Sequence, residues 1–485
     1  MGLHSGQSET GKYHKKTREE RDKAPQNKIP EAVEFALLPT FARPGENSDV
    51  PTDRLNTQGH FSEVAYEIVK DELILDGNAR QNLATFVTTW MSDEATRLFM
   101  HTLDKNMVDK DEYPQTAEIE KRCVRIISDL WNAQDKDQAT GTSTVGSSEA
   151  VMLGGLALKW CWRQKREAEG KPTDKPNLVM GANVQVVWEK FCRYWDVEPR
   201  YAPLAEGRLH LTADEAIKLC DENTIGVVGI LGSTFDGSYE PIKEIAAALD
   251  KLEADKGWDI PMHVDAASGG FVAPFIDSDL EWDFRIERVR SINSSGHKYG
   301  LVYPGVGWVI WSRPEYLPKD LIFDVNYLGG HMPTFALNFS RPGSQVVAQY
   351  YQFVRLGRNG YTAIQQSCRE VATYLSSQIA EMGPFELMSD GSELPVFLFR
   401  LKKDVKNYTV FDVSAKLREF GWLVPAYSLP ADLTNVDGLR IVVRNGMGRD
   451  LADSLLDDID RSLQYLENLD SPLQPNPHNT GTFRH

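Results

Sequence analysis

The sequence predicts an α/β protein with a large domain on a mostly parallel sheet covered by helices on both faces, followed by a smaller α+β C-terminal domain. Three observations carry this reading. Between Asn177 and Trp311 short β-branched runs alternate with helical stretches, and capping signals fall where that alternation needs them. After about Ser367 the order changes to helix, strand, helix, strand, helix. A chain of 485 residues also exceeds what one hydrophobic core usually serves.

Taken in order, residues 1–30 include "KYHKKTREERDKAPQNK", too polar to bury a core, and are expected to form a mobile arm, with 31–79 an N-terminal segment. The large domain is expected over 80–367. In it "NLVMG", "TIGVVGILG" and "IPMHVDAA" read as buried strands, while "VQVVWEKFCRYW" and "EIAAALDKLEADKG" read as helices. Thr212–Glu215, "TADE", is a capping box that opens a helix, and Gly257 sits where the run from Glu244 should stop. The small domain is expected over 368–470, with "PVFLFRLK" and "LRIVVRNG" as strands and "TVFDVSAKLREFG" and "LADSLLDDIDRSLQYLENL" as helices. Residues 471–485, rich in Pro and Asn, read as an extended tail.

Composition narrows the function. Hydrophobic residues at 41% and charged residues at 25% describe an ordinary globular protein. A net charge of −17 opposes binding to a phosphate backbone, so nucleic acid is not an expected partner. Five widely spaced cysteines with no C-x-x-C pair suggest neither a zinc ribbon nor a disulfide scaffold, and no metal site is predicted. The N-terminus has no apolar signal core and no apolar run is long enough to span a bilayer, so a cytoplasmic location is expected.

Ligands of such sheets bind beyond the carboxyl ends of the strands, so polar residues just after apolar runs are the candidates. "TSTVGSSEA" places Gly146, Ser147 and Ser148 before a helical run, where N–H groups and hydroxyls suit a phosphate. Asp265 follows the apolar "IPMHV", and a buried carboxylate needs a cationic partner to stay charged. "ILGST" puts Thr234 at another strand end, and "NSSGHKYG" brings Ser295, His297 and Lys298 after one further crossover. A phosphate cradle, a carboxylate for a pyridinium nitrogen and a lysine for a Schiff base are the protein parts that pyridoxal 5′-phosphate requires.

At these residues, in "DGNARQNLATF", "TVGSSEA", "HVDAASGGF", "SSGHKYG", "NYLGG" and "NFSRPGSQ", the chain resembles the pyridoxal-phosphate-dependent glutamate decarboxylases, within the group II decarboxylases, from about Asp71 to its C-terminus. The resemblance implies pyridoxal-phosphate fold type I, like aspartate aminotransferase, and conversion of L-glutamate to 4-aminobutyrate and carbon dioxide. It assigns Lys298 to the Schiff base, Asp265 to the pyridinium nitrogen, and Ala267 and Gln185 to the two ring faces. It assigns Ser147, Ser148, Ser295 and His297 to the phosphate, Phe339 and Ser340 to the phosphate of a neighbouring subunit, and Thr234 to the 3′-oxygen. Arg444 is expected on the α-carboxylate of the substrate, and Thr85, Phe86, Asn106 and Asp109 on its distal carboxylate, partly across a subunit boundary.

Tyr327 and Leu328, in the hairpin "DVNYLGGH", are expected to cover the site and relay a proton. A homodimer is the minimum assembly that this sharing implies, with a homohexamer as its larger form. Two departures from the family matter. The tail lacks the Trp- and Lys-rich segment of plant members, so calmodulin is not expected. His485 is the last residue, where the acid-resistance enzymes carry a histidine near the chain end that closes the site at neutral pH. The resemblance makes His485 a regulatory candidate, since a neutral imidazole is the nucleophilic form. The alternative substrates are aspartate, cysteine sulfinate or an aromatic amino acid; Thr85, Phe86 and Asn106 discriminate, since an aromatic substrate gains nothing from polar groups aimed at a distal carboxylate.

Overall fold

A computed structural model of the protein describes residues 52–55, 57, 59–135, 137–326 and 332–473. The chain divides into a unit ending at Gly77 and a unit from Asn78 onward, two residues before the expected border at 79/80. Described residues of the first unit form the helix Ser62–Glu72 and a short turn of 3-10 helix, Leu73–Leu75.

The second unit is built on seven strands: β1 (Thr140–Thr144), β2 (Asn177–Gly181), β3 (Glu198–Ala202), β4 (Thr224–Ile230), β5 (Met262–Asp265), β6 (Val289–Ser294) and β7 (Gly307–Trp311). They lie in the order β1-β7-β6-β5-β4-β2-β3. All neighbours run parallel except β7, which is antiparallel to both β1 and β6. The predicted strands "NLVMG", "TIGVVGI" and "MHVD" are in place. The reading of the sequence missed β1 and β3 for opposite reasons. β1 is threonine-rich and resembles the loop it feeds, and β3, "EPRYA", is an edge strand that tolerates proline and charge.

Central β4 is buried along its whole length, as a strand covered on both faces must be. Val227 joins the apolar core on one face of the sheet and Val228 the core on the other, the alternation of a pleated strand. Helix Ser147–Ala168 crosses one face at close range. A Cβ on Gly154 would meet the His263 imidazole at 2.5 Å, and one on Gly155 would meet Phe191 at 2.5 Å. The capping signals hold: Thr212 accepts from the Glu215 N–H, and Gly257 ends helix Ile242–Lys256 at φ +73°.

Beyond the sheet, β8 (Phe323–Val325) and β9 (Met332–Thr334) pair as the expected hairpin. Its tip, with Tyr327 and Leu328, lies outside the described residues, as does the His485 tail. Four antiparallel strands, β10 (Phe385–Leu387), β11 (Val396–Leu401), β12 (Ala426–Ser428) and β13 (Asp437–Val442), order themselves β10-β11-β13-β12 and pack against helices Val410–Glu419 and Arg449–Leu466. This is the predicted α+β module, but its expected start at 367/368 is corrected. Helix Ser344–Glu381 runs through that point and serves both cores, Val346 and Ala348 in the large one, Cys368, Leu375 and Ile379 in the small one. Its one break from helical geometry is Gly357 at φ +53°. No described helix is long and apolar enough to cross a membrane.

Candidate active site

The carboxyl ends of β4, β5 and β6 open into a cavity of about 660 Å³. Its lining collects, from six separate stretches of sequence, Thr85, Phe86, Ser147, Ser148, Gln185, Thr234, Asp265, Ala267, Ser295, His297 and Lys298. All eleven are residues that the sequence singled out.

Asp265 ends β5 and is held by three donors: the Trp188 indole N–H at 2.9 Å on one oxygen, the Asn293 side-chain N–H at 3.0 Å and the Ala267 N–H at 3.1 Å on the other. Lys298 follows β6 in a tight turn, where Leu301 takes φ +65° and a Cβ on Gly300 would strike the Gly296 carbonyl at 2.5 Å. The lysine amine lies 3.2 Å from the Ser268 hydroxyl and 5.0 Å from the centre of the Phe86 ring. Burial, with Arg440 nearby and against the pull of Asp265, lowers its pKa from 10.5 to about 8.

Helix Ser147–Ala168 begins at Gly146, and among the described residues no side chain caps it, so its first N–H groups face the cavity uncommitted. The Ser147 and Ser295 hydroxyls meet at 2.7 Å beside it. The His297 Nδ1 accepts from the Gly305 and Val306 N–H groups at 3.3 and 3.2 Å, so the proton sits on Nε2 as a donor. Burial, and then the Lys298 charge, push its pKa down to about 4 and keep the ring neutral. The imidazole fits because residue 146 is glycine: a Cβ there would come within 2.9 Å of it. Gln185 caps helix Val186–Tyr194, its side-chain oxygen accepting from the Val187 N–H at 2.7 Å.

Two sets of expected residues fall elsewhere. Arg444 does not line this cavity. Its guanidinium donates to the Thr85 carbonyl at 2.9 Å, the Thr89 hydroxyl at 2.5 Å, the Ala79 carbonyl at 3.2 Å and the Asn82 carbonyl, and it borders a separate cavity with Arg80 and Trp90. Arg440 lines the cavity instead. It is 9% exposed, donates to the Thr234 and Ala84 carbonyls at 2.5 and 2.6 Å, lies over Phe86 at 4.9 Å, and keeps a buried Nε without a partner among the described residues. Asn106, Asp109, Phe339 and Ser340 form the second set. Asn106 donates to the Ser340 hydroxyl at 3.2 Å, Phe339 is 41% exposed, and none of the four lines the cavity of its own chain.

Ser268 and Arg440 escaped the sequence reading. Ser268 stood unremarked in "HVDAASGG", three residues past Asp265. The signal for Arg440 was a charge inside a strand whose neighbours Leu439 and Ile441 are core residues. These residues fit pyridoxal phosphate. An uncapped helix end with hydroxyl and imidazole donors suits the phosphate, an amine of lowered pKa suits the aldehyde, and a carboxylate with only donors around it suits a protonated ring nitrogen.

A pyridoxal-dependent decarboxylase conserved domain matches residues 56–402. The chain is 55% identical over 418 residues to a glutamate decarboxylase of Aliivibrio fischeri, covering 86% of this chain and 90% of that one. It is 50% identical over 436 residues to a glutamate decarboxylase of Solanum lycopersicum, covering 90% and 87%. The solved glutamate decarboxylase of Lactobacillus brevis superposes with a TM-score of 0.86 at 45% identity, over 89% of this chain and 99% of that one. With fold type I, a pyridoxal-phosphate site and this likeness along most of its length, the chain belongs to the pyridoxal-dependent decarboxylase family and, within it, to the glutamate decarboxylases.

Proposed function

We propose that the protein decarboxylates L-glutamate at the α-carbon, with pyridoxal 5′-phosphate attached to Lys298 and its ring nitrogen on Asp265. The observation that carries this reading is the single cavity joining Lys298, Asp265, the uncapped helix end and the Arg440 guanidinium. Bound pyridoxal phosphate supplies the electron sink that takes the pair left when the bond from Cα to the carboxylate breaks.

The chain's own residues do the rest. Lys298, with its pKa lowered to about 8, keeps a fraction of neutral, nucleophilic amine near neutral pH. Asp265, fixed in place by three donors, would accept the N–H of the ring nitrogen and hold its proton there. Ser147, Ser148, Ser295 and the His297 Nε2–H would hold the phosphate, with Ala267 and Gln185 assigned to the ring faces and Thr234 to the 3′-oxygen. Arg440, tied to two backbone carbonyls and left with unspent N–H groups, is the cation of the cavity that we assign to the α-carboxylate. Thr85 reaches the distal carboxylate, and Phe86 lies beneath both cations as a platform. Carbon dioxide leaves, and a proton delivered to Cα completes 4-aminobutyrate; we assign its relay to the Tyr327 hydroxyl and the cover of the site to Leu328.

Asn106, Asp109, Phe339 and Ser340 sit together at the surface of their own chain, which supports a homodimer in which they complete the partner's cavity. The enzyme is inferred to act in the cytoplasm. Carbon dioxide release assayed with glutamate, aspartate and an aromatic amino acid tests the substrate. We expect glutamate to exceed the others by at least about a hundredfold in kcat/KM, as a charged group recognised by paired donors requires. Lys298→Ala, folded by circular dichroism, should lose at least about a thousandfold in turnover. Comparable rates on aspartate, or turnover surviving in Lys298→Ala, would refute the assignment.

A further inference from the structure

We propose that His263 and Asn293 form a positioning relay that fixes the orientation of the Asp265 carboxylate and thereby the protonation of the cofactor ring nitrogen. The inference rests on Asp265 meeting that nitrogen. Parallel register sets His263 of β5 beside Ser291 of β6 and Asp265 beside Asn293. Residues two apart share a sheet face, so the four polar side chains line up within a buried layer. The contacts are continuous: Ser291 Oγ to His263 Nδ1 at 2.7 Å, His263 Nε2 to Asn293 Oδ1 at 2.7 Å, and Asn293 Nδ2 to Asp265 Oδ1 at 3.0 Å.

Hydrogen-bond polarity along this chain is forced. An ionised carboxylate only accepts, so Asn293 must turn its N–H toward Asp265 and leave its oxygen for His263. The His263 Nε2 therefore carries a proton, and its Nδ1 accepts from the Ser291 hydroxyl. Burial pushes the imidazole pKa down, in keeping with this neutral form. Without a donor at 263 the amide is free to flip, which would set its oxygen against the carboxylate oxygen.

The packing supports one position for the ring. His263 is fully buried and does not line the cavity. It occupies the gap left by Gly154. The Trp188 ring meets it edge-on at 5.3 Å, and the same indole donates to the other Asp265 oxygen. His263 touches no reacting atom and acts through Asn293.

The test uses holoenzyme carrying pyridoxal phosphate labelled with nitrogen-15 in its ring. His263→Phe keeps an aromatic ring and removes the donor, His263→Gln keeps a donor, Asn293→Leu cuts the relay in the middle, and Asp265→Asn removes the charge. His263→Phe and Asn293→Leu should move the ring nitrogen resonance toward neutral pyridine. Each should weaken cofactor binding and lower kcat by about tenfold, the usual scale for outer partners of a liganding group, with KM for glutamate unchanged. His263→Gln should restore both. An unmoved resonance and unchanged cofactor affinity in these two variants, with Asp265→Asn moving both, would overturn the relay and leave the role of Asp265 intact. No movement in Asp265→Asn would overturn that role itself. If His263→Phe does not fold, Asn293→Leu decides between the same outcomes.

Discussion

Arg440 and Arg444 stand four residues apart, one inside β13 and one just beyond its end, both are under a tenth exposed, and they border different cavities. Arg444 spends its N–H groups on three backbone carbonyls and a threonine hydroxyl, all in the segment from Ala79 to Thr89 that carries Thr85 and Phe86. Arg440 ties down only two corners and keeps its Nε for something else. Burial and charge alone do not separate a ligand-binding arginine from a structural one. The distinction lies in whether the hydrogen-bonding capacity is already consumed by the fold.

The comparison breaks most visibly if the two residues exchange roles on substitution. Arg440→Met should cost about 10- to 100-fold in kcat/KM, the worth of a hydrogen bond to a charged group, with the loss mainly in KM and cofactor affinity retained. Arg444→Met should cost about 2–4 kcal/mol of stability by leaving buried carbonyls unpaired, while KM moves only severalfold through the displaced Thr85. Steady-state kinetics and thermal unfolding of both variants decide it. A large rise in KM confined to Arg444→Met would reverse the assignment.

This pair also marks how far the sequence could be read. Leu439, Ile441 and Val443 point into the small-domain core, so Arg440, Val442 and Arg444 share the parity of the opposite face. A period of two therefore cannot choose between the arginines. The choice is made by where β13 ends, at Val442, and element ends are what local signals define least. Lys298, Asp265 and His297 were legible because they come at or just after a strand's carboxyl end, where this fold class places its ligands, and Ser147 because it opens a helix. The relay of His263 and Asn293 was written in the same strands, as polar residues two apart in "MHVD" and "SINS", but only the register of β5 on β6 pairs them. The domain border at 367/368 failed because one helix is shared by two cores, which element order alone does not reveal.

Stability against pH sharpens the comparison further. In the fold Lys298 releases its proton near pH 8, whereas its ordinary pKa is 10.5. Below pH 8 the folded chain bears the full cost of a buried ammonium, and between 8 and 10.5 unfolding takes up a proton, so stability rises with pH across that window. The full displacement would be worth about 3 kcal/mol, and water in the cavity brings the expected gain to about 1–2 kcal/mol. Denaturant titrations of protein stripped of pyridoxal phosphate at pH 7.5 and 10 measure it, and Lys298→Met should flatten the difference. Since the Arg440 charge helps to lower this pKa, Arg440→Met should move the midpoint upward and Arg444→Met should not.

The smallest expected effect concerns the floor of the phosphate cradle. Gly146 has φ 165°, an extended angle open to any residue, so alanine there brings no backbone strain. Its added Cβ would stand 2.9 Å from the His297 Cε1, and that ring is pinned from the far side by two N–H groups on its Nδ1. The ring must therefore give by a few tenths of an ångström, carrying its Nε2–H away from the phosphate while the helix end and both serines stay in place. Gly146→Ala should weaken cofactor affinity by about three- to tenfold, on the order of 1 kcal/mol for one degraded hydrogen bond, and leave KM at saturating cofactor unchanged. Titration of the stripped protein with pyridoxal phosphate reads the affinity directly. An unaltered affinity would show that His297 is not a phosphate donor and that Ser147, Ser148, Ser295 and the helix N–H groups hold the phosphate without it, leaving the Arg440 wall of the same cavity unaffected.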